Sequence, residues 1–238
     1  MYILAIDSAT PVAGLALLHD QKVMREEFIN FKKTHSETLM PGVDRVLHDC
    51  EITVADLDAI AVTVGPGSFT GLRIGLATAK GLSMACGKPL LGISTLDVLA
   101  HNIVFSENLV CPLLDARKQE VYTAYFAADG DIPQRLTEDM ACSPQEMAAR
   151  ARELATVLGK PHITLLGDGF YPYEEFFQEY FQDVLQVAPG PLMLPRAAAL
   201  GSLAWQRAIK NDFDDAYALR PIYVRLSEAE YRLGKGAL

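Results

Sequence analysis

The sequence predicts an α/β protein of two lobes, the second of them reduced. Three observations carry this. The first hundred residues read as a three-strand meander followed by alternating helices and strands, in the order β-β-β-α-β-α-β-α. A strand pair and a helix beyond residue 106 begin a weaker copy of that run. The chain has 238 residues, half of them apolar, which is long for one domain and short for two full ones.

Each element has a local reason. Residues 2–6 are an apolar run of strand formers, 13–18 follow the turn Ser8-Ala9-Thr10-Pro11, and 22–28 alternate as an outer strand does. Thr34-His35-Ser36-Glu37 fits a capping box and should open a helix over 36–50. Residues 59–64 read as a buried strand, which Gly65-Pro66-Gly67 breaks before a helix over 69–86. A strand over 90–93 leads to Ser94-Thr95-Leu96-Asp97, a second capping sequence. Residues 109–114 and 120–126 form the later strand pair. Ser143-Pro144-Gln145-Glu146 starts a helix with proline at its first position. A strand over 163–166 and a last helix over 195–210 complete the reading. The expected division is an N-terminal lobe over 1–105, with the helix 195–210 packed on it, and a reduced C-terminal lobe over 106–238. A meander joined to parallel crossovers is not the dinucleotide-binding order. It is the order of one lobe of the actin, Hsp70 and sugar-kinase (ASKHA) fold.

Charge argues against a direct grip on nucleic acid. The 21 Lys+Arg against 30 Asp+Glu leave a net charge of −9, and no basic run exceeds Lys32-Lys33. A protein that holds RNA by its phosphates presents a basic face. Strong tRNA binding by this chain alone is therefore not expected. Cys50, Cys86, Cys111 and Cys142 stand singly, which suits small buried apolar residues in a reducing cytoplasm. The N-terminal residues lack a basic stretch and reach Asp7 early, so neither a signal peptide nor a membrane span is expected.

The glycine block Gly65-Pro66-Gly67-Ser68-Phe69-Thr70-Gly71 fits neither the P-loop nor the dinucleotide spacing. Gly67, Gly71 and Gly75 recur every fourth residue, so they share one helix face. Two readings follow: a face that lets another backbone approach closely, which is favoured, or an anion cradle at a helix start. Asp7 reads as a strand-end turn former. Tyr171, Tyr173, Phe176 and Phe177 read as core packing, because Glu174, Glu175 and Glu179 among them would repel a phosphate backbone.

Taken together, Ile6-Asp7-Ser8-Ala9-Thr10, His35-Ser36-Glu37-Thr38-Leu39-Met40-Pro41, the block from Gly65 to Gly75, Ile93-Ser94-Thr95-Leu96 and Leu114-Asp115-Ala116-Arg117 resemble the TsaB (YeaZ) family. The resemblance is close up to residue 125 and loose beyond it. It implies a non-catalytic scaffold or activator that pairs with a catalytic paralogue, TsaD, and works with an ATPase, TsaE. Together these place threonylcarbamoyl on an adenosine of tRNA. The paralogue has two metal-binding histidines four apart on a helix; Thr95 and Leu99 stand at the matching positions here. Its third ligand, an Asp, falls near Pro195-Arg196-Ala197, and its glycine-rich second turn is here Asp115-Ala116-Arg117. The resemblance thus implies no catalytic residue, no metal and no cofactor. The rival is an ATP-dependent phosphotransferase or a metal-dependent hydrolase of the same fold.

The helix over 69–86 is apolar around most of its circumference, apart from a stripe at Arg73 and Lys80. In the helix over 36–50, Leu39, Val43, Val46 and Cys50 should face the core, leaving Met40 and Leu47 to one side. Met40, Leu47, Arg73, Leu76, Lys80 and Met84 are therefore the candidate partner interface. A homodimer through this face would compete with the complex formed with the paralogue.

Overall fold

The computed structural model describes residues 1–30 and 34–225. Strands β1 (Tyr2–Asp7), β2 (Ala13–His19) and β3 (Lys22–Ile29) form an antiparallel meander. Strands β4 (Ala59–Gly65) and β5 (Leu90–Ser94) extend it in parallel, giving the order β3-β2-β1-β4-β5. Helices α1 (His35–Asp49) and α2 (Phe69–Cys86) pack on one face of this sheet. The first of them begins at the expected capping box, where the Thr34 amide donates to the Glu37 carboxylate at 3.1 Å. Ser68 caps α2 by accepting the Gly71 amide at 3.2 Å, and Gly87 ends it in a left-handed conformation. On the opposite face lies α6 (Ala197–Ala208), whose Ala197, Leu200, Ala204 and Ala208 pack on Ile3, Ala5, Ala16 and Leu18.

The second sheet runs β10 (Met140–Cys142), β7 (Glu120–Thr123), β6 (Ser106–Arg117), β11 (Ile163–Leu166) and β12 (Leu185–Val187). Two short strands, β8 (Phe126–Ala128) and β9 (Gln134–Arg135), pair beside β6. The expected single strand over 120–126 is thus two, interrupted at Ala124-Tyr125. Helix α4 (Pro144–Leu158) starts at the Ser143–Glu146 box, and α5 (Glu174–Phe181) carries part of the aromatic cluster. Of the four aromatic residues expected in the core, Phe177 is fully buried beside Phe170 and Phe181, with Phe170 and Phe177 ring centroids 6.0 Å apart. Tyr173 and Phe176 are half-buried against it, and Tyr171, at the start of the segment, is 55% exposed instead. Between the two sheets, α3 (Thr95–Ala100) serves both sides. Its Val98 joins the first core, while Leu96, Leu99 and Ala100 join the second.

Beyond α6 the chain departs from the expected division. Residues 212–225 run back along the first lobe instead of joining the second sheet. The Asp214 amide donates to Leu90 O at 2.9 Å and the Ile222 amide to Val64 O at 2.7 Å. At the far end the Arg225 guanidinium reaches Ala116 O at 3.1 Å and Glu120 Oε2 at 2.7 Å in the second lobe. The segment is therefore a strap from one lobe to the other.

Candidate functional site: an interlobe cleft and an exposed helix pair

A cavity of about 420 Å³ lies between the lobes, bounded by the β1–β2 turn, the starts of α1 and α2, and the β6–β7 hairpin. Its first-lobe wall is tied together from within. Asp7 is fully buried, and its Oδ1 accepts from Thr63 Oγ1 at 2.7 Å and from the Ala9 amide at 3.1 Å. This is the turn-forming role expected of it. Its Oδ2 has no hydrogen-bond partner among the described residues. Burial raises the Asp7 carboxyl above its ordinary range, against the opposing pull of Thr63 and Ala9. His35 Nε2 lies 3.0 Å from Thr10 O, so that nitrogen carries the proton.

The glycine face of α2 packs on this same turn. A Cβ on Gly71 would sit 2.1 Å from Ser8 O, and one on Gly75 2.2 Å from Ser8 Oγ. At Gly67 it would meet Ala9 O at 2.3 Å. The Ser68 amide, at the helix start, donates to Ala9 O at 2.7 Å. Close approach is thus what the glycines provide, on the helix at Gly71 and Gly75 and, ahead of α2, at Gly67, which lies outside the helix face expected for it. The second-lobe wall is similar. The Arg117 amide donates to Asp115 Oδ1 at 2.8 Å and the Asp115 amide to Asp168 Oδ1 at 3.1 Å. Arg117, Lys118 and Gln119 all have positive φ, between 51° and 63°, where glycine is ordinarily favoured. Burial raises the Asp168 carboxyl, and the Asp115 charge adds to this. The Ala9, Asp115 and Arg117 amides are thus engaged by the chain's own carboxylates.

The other candidate surface is the outer side of α1 and α2, which pack against each other. Met40 and Met84 are 48% and 57% exposed, Arg73 is exposed and Lys80 half-buried. Two of the six expected positions lie elsewhere. Leu47 is only 6% exposed and packs with Leu39, Val43 and Val46, while Cys50 is half-buried at its edge. Leu76 is 5% exposed, because Ala216 and Leu219 of the strap join its cluster. Sequence periodicity places Leu76 on α2 correctly but carries no signal of the strap that covers it.

Similarity to known proteins agrees with this architecture. The family model described as "TsaD: tRNA N6-adenosine threonylcarbamoyltransferase" matches residues 23–233. The tRNA threonylcarbamoyladenosine biosynthesis protein TsaB of Bacillus subtilis (strain 168) is 31% identical over 230 residues, 97% of this chain and 96% of that protein. The chain belongs to the TsaB (YeaZ) family. A solved structure, YeaZ from Pseudomonas aeruginosa, superposes with a TM-score of 0.78 at 26% identity, covering 93% of this chain and 99% of that one. More distantly, the activator of the 2-hydroxyisocaproyl-CoA dehydratase from Clostridium difficile, solved with bound ADPNP, shares the fold. Its TM-score is 0.50 at 11% identity, over 94% of this chain and all of that one.

Within this family member, two of the three positions that the resemblance matches to the paralogue's metal ligands are core positions. Thr95 and Leu99 are fully buried on α3. Arg196 does not face the cleft as a ligand would; it pairs with Glu26 of β3, with Nη2 to Oε2 at 2.6 Å. No group of three or more His, Cys, Asp or Glu side chains among the described residues is arranged to hold a metal ion. No helix among them is long and apolar enough to cross a membrane.

Proposed function

We propose that this chain is a non-catalytic scaffold or activator in the formation of N6-threonylcarbamoyladenosine in tRNA, acting in the cytoplasm. It pairs with a TsaD-type catalytic paralogue and works alongside a TsaE-type ATPase. The names of its relatives place them in that biosynthesis. The observation that carries the scaffold reading is the packing of Gly67, Gly71 and Gly75 onto Ser8 and Ala9. In this fold, that turn and that helix start are the parts available to approach a phosphate, and here they are in contact with each other. The lobe over 1–105, with the helix near 195–210 packed on it, supplies the partner face on α1 and α2. Exposed Met40 and Met84 are its apolar anchors. With a net charge of −9, the tRNA is held chiefly by other subunits.

The test mixes the purified full chain with the catalytic paralogue, the ATPase, tRNA, and threonylcarbamoyl adenylate carrying the threonine label as the donor. Association is read by light scattering and transfer by labelled threonine. The complex should transfer, and the chain alone should neither transfer nor hydrolyse ATP. Met40→Asp and Met84→Arg should each weaken association with the paralogue by about tenfold or more, with unchanged circular dichroism because both side chains are exposed. Turnover by the isolated chain would establish the phosphotransferase or hydrolase reading instead. Wild-type association of both folded variants would remove α1 and α2 as the partner face. A homodimer through the same face should weaken in parallel.

A further inference from the structure

Although acidic side chains outnumber basic ones in the chain, a groove between α2 and the strap collects Arg73, Lys80 and Arg220. None of the three makes an ion pair among the described residues. Arg73 Nε donates to Tyr223 Oη at 2.9 Å, with its guanidinium 3.7 Å from the centre of the Phe69 ring. Arg220 donates to Leu219 O at 2.9 Å. The Lys80 ammonium is pulled below its ordinary range, first by burial and then by the Arg220 charge; Asp215 opposes the shift without pairing. Beside the cations, Met84 and Leu219 give the same shallow groove of about 670 Å³ apolar area, with Leu76 nearly covered by the strap at its base. From Arg73 to Met84 it follows α2 for roughly 16 Å, about three helical turns.

Like charges held together beside apolar area cost free energy in the isolated chain. A ligand carrying the opposite charge recovers that cost on binding. Leu219 and Met84 call for apolar side chains, and the −9 net charge disfavours a long polyanion. We propose that this groove docks an acidic amphipathic helix of a partner protein, whose apolar edge meets Met84 and Leu219 while its flanking carboxylates reach Lys80 and Arg220. The proposal rests on the reading of α2 as part of a partner face. It adds the strap as a second wall and fixes the sign of the partner's charge. Helix-in-groove docking needs apolar anchors three or four residues apart, and carboxylates at the same spacing fall on one flank.

The probe is a fluorescein-labelled synthetic helix with leucines four residues apart and glutamates beside them, titrated with the full chain by anisotropy. It should bind, and added salt should weaken binding. Lys80→Glu and Arg220→Glu should each reduce affinity about tenfold or more, as should replacing the peptide's glutamates by glutamine. Circular dichroism of both variants should match the wild type. No binding, or equal binding by both variants, overturns the proposal. Displacement of the peptide by stoichiometric tRNA makes the groove an RNA site, and so overturns it too. A several-fold gain in peptide affinity on changing both Glu228 and Glu230 to Lys in the full chain would mean that the chain fills its own groove, with the same consequence. Arg220 lies outside α1 and α2. If Arg220→Glu leaves the peptide bound while Met40→Asp still breaks association with the paralogue, the groove proposal falls and the partner face stands. If Met40→Asp is silent and Arg220→Glu is not, the partner face loses α1 and the groove stands.

Discussion

Asp7 shows at the scale of one residue how this fold retains a carboxylate without exposing it. Oδ1 is satisfied by Thr63 and Ala9, while Oδ2 is buried without a partner, and burial outweighs the two hydrogen bonds. The folded chain therefore keeps this proton to higher pH than the unfolded chain, where the carboxyl titrates near 3.8. Between that value and the raised folded one, the folded state binds more protons, so Asp7's contribution to stability falls as pH rises. It levels off above the folded value. Asp7→Asn cannot ionise. The stability of that variant relative to wild type, from urea midpoints, should rise with pH from about 4 upward and then reach a plateau. A constant difference across that range would mean that Asp7 is not desolvated in solution. The sequence shows Asp7 at a strand end before a turn. Its depth depends on α2 closing over the turn, a long-range contact with no local signature. Leu47 and Leu76 are the reverse case, where the residue type is right for a partner face but neighbours distant in sequence bury it.

At the scale of the element, α2 is specified by its glycines on one side and by its apolar residues elsewhere. Gly71 and Gly81 share the helix but not its demands. A Cβ at Gly71 meets the Ser8 carbonyl at 2.1 Å, and that turn is held by Asp7 and by Ser8 Oγ donating to Gly71 O at 2.9 Å. Gly71→Ala should cost about 1–3 kcal/mol, as overpacking a fixed backbone does. Gly81 has open space around it, so Gly81→Ala should gain about 0.5–1 kcal/mol from helix propensity alone. Urea denaturation of the two variants measures both, and equal effects would mean that α2 does not sit on the turn as described. Local signals served well for elements of this kind. The Thr34–Glu37 and Ser143–Glu146 boxes mark α1 and α4 because caps act within four residues. Strands β9, β10 and β12, of two or three residues each, carry no periodicity and exist only where β8, β7 and β11 pair with them. Helix α5 was legible as an aromatic cluster but not as a helix, since Phe176, Phe177 and Tyr180 in so short a segment fit either form.

For the whole molecule, the question is whether the lobes fold as one. Two features join them besides the strap. Helix α3 contributes Val98 to one core and Leu96, Leu99 and Ala100 to the other, so neither core closes without it. Beside it, Arg135 of β9 crosses from the second sheet to the first lobe. Its Nε donates to Asp97 Oδ1 at 3.0 Å and its Nη2 to Ser94 Oγ at 3.1 Å, while Nη1 holds Asp139. Ser94 in turn donates to Asp139 Oδ2 at 3.1 Å and accepts the Leu96 amide at 3.3 Å, at the start of α3. Arg135→Met removes the cation but keeps much of its stem over the Phe126 ring, leaving Asp97 and Asp139 without it. The expected cost is about 1–3 kcal/mol, below that of breaking a fully buried pair because the guanidinium keeps some exposure to water. The apolar continuity through α3 should nonetheless keep unfolding to a single transition in the variant as in the wild type. Trp205 on α6 is the chain's single tryptophan and reports the first lobe, while far-UV circular dichroism reports both lobes. In Arg135→Met the two urea curves should shift together to a lower midpoint and still coincide. Separation of the fluorescence curve from the dichroism curve would show that Arg135, not the shared helix, couples the lobes. Coincidence at an unshifted midpoint would show that the ion cluster adds nothing to the coupling that α3 already provides.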